Sequence, residues 1–408
     1  MRGGPSADGP FQYALPPELI AQDPAPRRGD ARLLLAARGG GVLGERRAEE
    51  LPDLLRPGDL LVVNDSRVLP ARLWASRPGG GKVELLLLRR GAAADAWLAL
   101  ARPARRLRQG QLLTLLPAGG VPERPEAAPV LAVLAVGDEG VVTVGCSDLA
   151  AIAAGWGEVP LPPYIRRRAT DSAARRARDR ERYQTVYARE EGSVAAPTAG
   201  LHLETSTLAA LARRGVQVAA VTLHVGLGTF RPPDAAQIAA GRLHAEHFIC
   251  PAATERAARA ARAAGGRVIA VGTTTLRVLE TVQELELPAR GGPARRVWPP
   301  RASPPPAIAP VFTGEAARQD GGWRIEGETR LFLRPPAAVR AVDGLLTNFH
   351  LPGSSLLMLV EAFAGEATWR VAYAHAVAAA YRFYSYGDAM LLLPPERAGG
   401  GEGRARGA

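Results

Sequence analysis

Short apolar runs that stop abruptly at small or polar residues recur along this chain, and they constrain its fold more than any other feature. Asp59-Leu-Leu-Val-Val63 runs into Asn64-Asp65-Ser66-Arg67, and Val216–Leu223 into a turn holding His224, Gly226, Gly228 and Thr229. Arg267-Val-Ile-Ala-Val271 runs into Gly272-Thr273-Thr274-Thr275, and Gly344–Thr347 into Asn348-Phe-His350-Leu-Pro-Gly-Ser354-Ser355. Runs this short and uniformly apolar suit strands buried on both faces, as in a parallel sheet covered by helices. Helical patterns at Thr205–Arg213, Ala253–Ala264, Leu276–Glu284 and Leu356–Ala364 supply the covers. In open α/β sheets ligands collect outside the carboxyl ends of the strands, so these polar stops predict one shared cleft. The Gly272–Thr275 stop opens a helix and offers backbone N–H groups to a polar or anionic ligand. It has neither the P-loop lysine nor the GxGxxG spacing of a dinucleotide site.

From 75 to 159 the texture changes to short β-like runs broken by Gly and Pro, which reads as a small barrel. At 408 residues the chain exceeds one compact core. The expected class is α/β: a larger α/β domain over 11–74 and 160–396, with an inserted small all-β barrel domain over 75–159. A disordered leader over 1–10, a long Pro-, Gly- and Arg-rich loop over 287–322 with Val311–Thr313 as a candidate strand within it, and a disordered tail over 397–408 complete the expected organisation.

Composition narrows the chemistry. Net charge is +11, but Lys82 is the single lysine among abundant Arg, Ala, Gly and Pro, so base composition accounts for part of the arginine surplus. The charge is weak support for a nucleic-acid partner. The sharper signal is a run holding Arg166, Arg167, Arg168, Arg175, Arg176, Arg178, Arg180 and Arg182. It reads either as a solvated face or as a phosphate-backbone contact. No apolar run reaches the roughly 18–20 residues that span a bilayer, and the N-terminus has no secretory h-region. Cys146 and Cys250 imply no disulfide framework, which fits a reducing cytoplasm. No metal is expected, because His244 and His247 stand three apart without a nearby third ligand.

The stretch Gly192–His202 is small, uncharged and glycine-bounded, which suits close approach of the backbone to a ligand. No GxSxG elbow is present and neither cysteine has an electropositive setting. What remains is His, Asp/Glu, Thr and Asn around glycine turns, an inventory for binding a polar organic ligand and for general acid–base catalysis. His202, His224, Asp65 and Glu361 are the acid–base candidates. Glu361 enters because a carboxylate on an otherwise apolar helix needs a partner or a role. The binding candidates are Asn64, Arg67, Pro197, Thr198, Gly200, Gly226, Gly228, Thr229, Thr273, Thr274, Thr275, Arg277, Asn348, His350, Ser354, Ser355, Tyr386 and Asp388. A non-catalytic RNA-binding protein would share the basic run without needing the polar strand ends. A transferase acting on free nucleobases would share the strand ends without needing the run.

Taken together, GSVAAPTAGLH, TLHVGLGTF, VIAVGTTTLRVLE, DGLLTNFHLPGSSLLMLVEAFAG and YRFYSYGDAM, with NDSRVLPARL, GEVPLPPYI and DRERYQTVYA before them, form a recognisable series. From about Phe11 to Leu393 the chain resembles the S-adenosylmethionine:tRNA ribosyltransferase-isomerase family of queuosine biosynthesis. The resemblance implies transfer and isomerisation of the ribosyl part of S-adenosylmethionine onto 7-aminomethyl-7-deazaguanine at the tRNA wobble position. Epoxyqueuosine, adenine and methionine would be the products. It implies an α/β domain with an inserted barrel and a cytoplasmic monomer. No external cofactor is expected, since S-adenosylmethionine is consumed as a substrate. The tRNA would lie on Arg166, Arg167, Arg168, Arg175 and Arg176. The chain departs from the family pattern at Pro335-Pro336-Ala337 and at Leu203-Glu204. Which candidate is the base stays open.

Overall fold

A computed structural model describes residues 9–91, 93, 95–117, 128–168, 171–226, 228, 235–283, 285–286, 292–293, 295–296 and 311–395. Residues 1–8 of the expected 1–10 leader, most of the 287–322 loop and all of the expected 397–408 tail lie outside the described residues.

Strand Leu60–Asn64 lies at the centre of an eleven-stranded sheet, flanked by Gln217–Leu223 and Val268–Val271, with Gly344–Asn348 beyond the latter. All of these pair in parallel. Their uniform apolarity follows from burial on both faces. Leu60, Val62, Val268, Ala270 and Leu345 join the core under helices Ala252–Ala263, Thr273–Gln283 and Ser355–Ala364. Their neighbours Leu61, Val63, Ile269, Val271 and Leu346 join a second core on the opposite face, with Leu203 and Leu211. The period of two that was invisible as polarity thus reappears as a choice between two cores. Antiparallel strands extend the sheet. Ala389–Leu393 returns beside Gly344–Asn348, and Arg242–Cys250 returns beside Gln217–Leu223.

The second unit is a closed barrel of Val141–Gly145, Ala96–Arg102, Lys82–Arg90, Arg72–Ser76, Leu112–Leu116 and Val130–Val136. Alternate residues such as Leu73, Val83, Leu85, Leu113, Leu131 and Val142 fill its interior. The fold is therefore mixed α/β with a large sheet and an all-β barrel, the class expected from sequence.

Three details differ from the expectation. The first barrel strand begins at Arg72, inside the stretch read as α/β. Helix Leu149–Trp156 lies within the stretch read as purely β, capped by the Asp148 side chain accepting from Ala151 N. Part of the expected 287–322 loop is a hairpin, in which Phe312–Gln319 pairs with Gly322–Leu331. Only Phe312 and Ala316 of that first strand are buried, so beyond the candidate strand Val311–Thr313 a mostly solvated strand carried no apolar pattern to read.

Candidate active site

The polar strand ends meet. Because Leu60–Asn64, Gln217–Leu223, Val268–Val271 and Gly344–Asn348 run parallel, Asn64, His224, Gly272 and Asn348 come to one edge of the sheet. Asn64 joins them. Its Nδ2 donates to Leu223 O (3.0 Å) and Thr274 Oγ1 (3.2 Å), while its Oδ1 accepts from Leu223 N (3.0 Å) and Ser66 N (3.1 Å). The amide has no hydrogen-bonding capacity left. Asn64 fixes the geometry of the strand ends instead of presenting a free group.

Asp65 beside it is buried. Thr222 Oγ1 donates to Oδ1 (2.7 Å) and the exposed Arg189 guanidinium to Oδ2 (2.9 Å). Burial pushes the Asp65 carboxyl up, against the opposing pull of Thr222 and Arg189. Arg67 is exposed and pairs with Glu191 at 3.7 Å.

Gly272, at φ 91°, turns the chain into helix Thr273–Gln283. Thr273 is buried in the first turn, Thr274 receives Asn64, and Thr275 Oγ1 donates back to Val271 O (2.8 Å). One turn on, Arg277 makes a buried ion pair with Glu246. The other oxygen of Glu246 accepts from Gly226 N (2.9 Å), and Arg277 also donates to His244 O and Thr329 O. Arg277 therefore pins the Gly226 turn onto the helix. Gly228 lies over His244, where an added Cβ would stand 3.8 Å from the ring. Thr229 lies outside the described residues.

The small-residue stretch wraps this edge. Ser193 Oγ accepts from Val225 N (3.0 Å) and donates to Ala195 O (2.7 Å), tying the stretch to the His224 turn. Pro197 precedes a 3-10 helix, Thr198–His202. Within it Gly200 has no room for a side chain, because an added Cβ would lie 1.9 Å from the Tyr187 hydroxyl oxygen. His202 is buried, and its Nε2 lies 3.1 Å from Asn348 Nδ2. That amide nitrogen also donates to Tyr384 O (3.0 Å), so His202 Nε2 is the acceptor and its proton sits on Nδ1. Burial, helped by Arg382 and Arg28, holds the His202 pKa down at about 4. It borders a water-sized cavity of about 20 Å³ with Arg28, Arg182 and Tyr386.

Other candidates are engaged in the framework. His350 Nε2 lies 2.8 Å from Thr347 Oγ1, and burial lowers its pKa to about 3. Ser354 caps helix Ser355–Ala364 by accepting from Leu357 N. Glu361 accepts from the Trp369 indole (2.6 Å), which joins two consecutive helices and explains the carboxylate on an apolar face. Asp388 accepts from Arg32 N and Arg382 N, and the Tyr386 hydroxyl donates to Asp179 (3.3 Å). Sequence reasoning passed over Arg189, Thr222 and Glu246 and weighed His247 only as a metal ligand, because each gains its meaning from a partner elsewhere in the fold.

The basic run divides in two. Arg167 holds Asp179 through both oxygens, Arg175 pairs with Asp23 and Asp171, and Arg176 donates to Asp171 O. Arg166 and Arg168 are exposed, and their guanidinium groups make no hydrogen bond or ion pair among the described residues. A groove of about 1190 Å³ runs between the barrel and helix Ala173–Arg182, with Arg72, Trp74 and Lys82 on one wall and Arg168, Arg176 and Arg180 on the other. Among the described residues no helix is long and apolar enough to cross a membrane, and no three His, Cys, Asp or Glu side chains gather as a metal site.

Comparison with known proteins identifies the family. The family model described as queuosine biosynthesis protein matches residues 9–392. An S-adenosylmethionine:tRNA ribosyltransferase-isomerase of Acidithiobacillus ferrooxidans is 48% identical over 384 residues, covering 94% of this chain and 97% of the relative. One from Methylobacterium radiotolerans is 47% identical over 95% of this chain and 98% of its own length. A solved S-adenosylmethionine tRNA ribosyltransferase from Thermotoga maritima is 31% identical over 94% of this chain and 99% of that chain, with a TM-score of 0.47. On the family model's match over residues 9–392 and the 48% and 47% identity to the Acidithiobacillus and Methylobacterium relatives, the chain belongs to the queuosine biosynthesis protein family.

Proposed function

We propose that this chain is a transferase that moves and isomerises the ribosyl moiety of S-adenosylmethionine onto 7-aminomethyl-7-deazaguanine at the wobble position of tRNA. Epoxyqueuosine forms, and adenine and methionine are released. The observation that carries this reading is the extent of the likeness to named ribosyltransferase-isomerases. It spans the polar strand ends and the barrel-side groove alike.

The sulfonium acidifies the C5′ protons beside it. A base takes one, and the electron pair left on carbon drives opening of the ribose and departure of adenine, which leaves with a proton. The aminomethyl nitrogen adds to C4′ of the vinyl sulfonium this leaves and gives up a proton to solvent. C5′ then bonds to the C1′ aldehyde carbon to close the ring, and the alkoxide formed there closes the epoxide onto C5′, breaking the carbon–sulfur bond and freeing methionine. The sulfonium supplies the driving force, so no external cofactor is required. Gly272 to Thr275, at the positive end of their helix, and the Gly226 turn held by Glu246 form the walls for the polar substrate. Asn64, Arg277, Glu361 and Asp388 hold the scaffold. Exposed arginines along the groove take the RNA backbone. The protein works as a cytoplasmic monomer, since tRNA and S-adenosylmethionine are met there and one chain supplies both cleft and groove.

Incubation with S-adenosylmethionine labelled in adenine tests the reading. Adenine release that requires tRNA bearing the aminomethyl base supports it. Tight tRNA binding without adenine release points to a binding protein, and release without any tRNA to a free-base transferase.

A further inference from the structure

Six histidines are present, and the structure separates them. The His202 and His350 rings are buried and bonded within the framework, and His375 pairs with Glu45 at 2.7 Å on the surface. His224 differs. It leaves strand Gln217–Leu223 at the shared edge, directly over the small-residue stretch. Gly192, at φ 144°, comes so close that an added Cβ would stand 2.9 Å from the ring Cε1 and 3.0 Å from Nδ1. The glycine is needed there both for its backbone conformation and for the space the imidazole takes. The ring is half-buried; Nδ1 is buried with no hydrogen-bond partner among the described residues, and Nε2 is not among the buried unpartnered atoms.

A second imidazole lies alongside. The antiparallel return of Arg242–Cys250 brings His247 opposite His224, and His224 N donates to His247 O (2.9 Å). The rings stack with centroids 5.8 Å apart and planes 12° from parallel. His247 Nε2 reaches Glu326 Oε1 at 3.4 Å on the next strand, and Glu326 also meets Arg324. The charge that acts against His247 is that of Glu190, on strand Glu190–Ser193.

We propose that His224 is the proton-transfer residue of this cleft, with His247 and Glu326 as a positioning pair that holds its imidazole, and this rests on the reaction assigned above. His224 Nε2 takes the C5′ proton while the C–H electron pair stays on the carbon beside sulfur. The same nitrogen then returns the proton to departing adenine, so the histidine ends neutral. Burial and the charge of His247 both push His224's ionisation down, with Glu190 opposing, so the ring enters the reaction neutral, as a base must.

The test uses the full-length protein with S-adenosylmethionine and tRNA carrying the aminomethyl base. His224→Gln should keep S-adenosylmethionine affinity and lose kcat by about a hundredfold or more. His247→Gln removes the repelling charge, so the low-pH limb of the rate profile should move to higher pH. NMR titration of the imidazole C–H signals in the free protein should show the His224 midpoint moving up in His247→Gln. Turnover within a few-fold of wild type in His224→Gln, or an unmoved His224 midpoint in His247→Gln, overturns the proposal. An inactive wild-type protein would instead sink the assigned reaction, and the titration would still decide the histidine pair.

Discussion

Asn64 illustrates how little of a polar strand end is free side chain. Its four amide contacts are all internal, and they make the strand ends a fixed frame. His202 follows the same logic with a measurable consequence. The unfolded chain protonates this ring near its usual pKa of 6.5, and the folded protein only near 4. Acid therefore favours the unfolded state. The stability tied to neutral His202 is intact above pH 6.5 and is lost progressively as pH falls toward 4. Between pH 7 and pH 5 wild type should lose about 2 kcal/mol more than His202→Gln, read from urea unfolding at each pH. Equal losses would mean that His202 is not a buried neutral ring. That Asn64 and Asn348 lie at an edge follows from the apolar runs before them, and His202 was marked by the small-residue stretch it ends. Their partners do not follow, because a hydrogen bond between residues 146 apart leaves no trace in local spacing.

Among the elements, helix Thr273–Gln283 and the Gly226 turn depend on one buried pair. Arg277 and Glu246 side chains are 10% and 8% exposed. Removing one partner of such a pair strands the other charge, at a cost of about 3–5 kcal/mol, whereas replacing both by apolar residues is often tolerated. Arg277→Met alone should therefore lower the urea midpoint far more than Arg277→Met with Glu246→Leu. The double variant should still lose adenine release, because Gly226 N loses its acceptor. A double variant as unstable as the single would contradict this reading. The parallel strands and their covering helices were legible because burial on two faces leaves uninterrupted apolar runs. The barrel was legible from its spacing and turn residues. Strand Phe312–Gln319 was legible only at its start, since a strand with two buried side chains resembles loop. Glu361 announced a partner without naming it. The Trp369 indole, a neutral donor on the next helix, is that partner.

For the whole molecule, the barrel and helix Ala173–Arg182 together enclose a basic groove that neither unit has alone. The arginines there are not equivalent. Arg168→Ala should leave the urea midpoint unchanged, weaken tRNA binding and lower the salt dependence of the affinity by about one unit of slope. Arg167→Ala breaks the contact to buried Asp179 and should destabilise the fold instead. The reverse pattern would show that the groove is not the RNA path. The measurement that weighs most is release of adenine from labelled S-adenosylmethionine by the purified full-length chain, with and without tRNA bearing 7-aminomethyl-7-deazaguanine. We expect adenine and methionine in equal amounts, formed only with that tRNA and accompanied by epoxyqueuosine in it. Bound tRNA with no adenine formed, or adenine formed equally without tRNA, would contradict the assigned function.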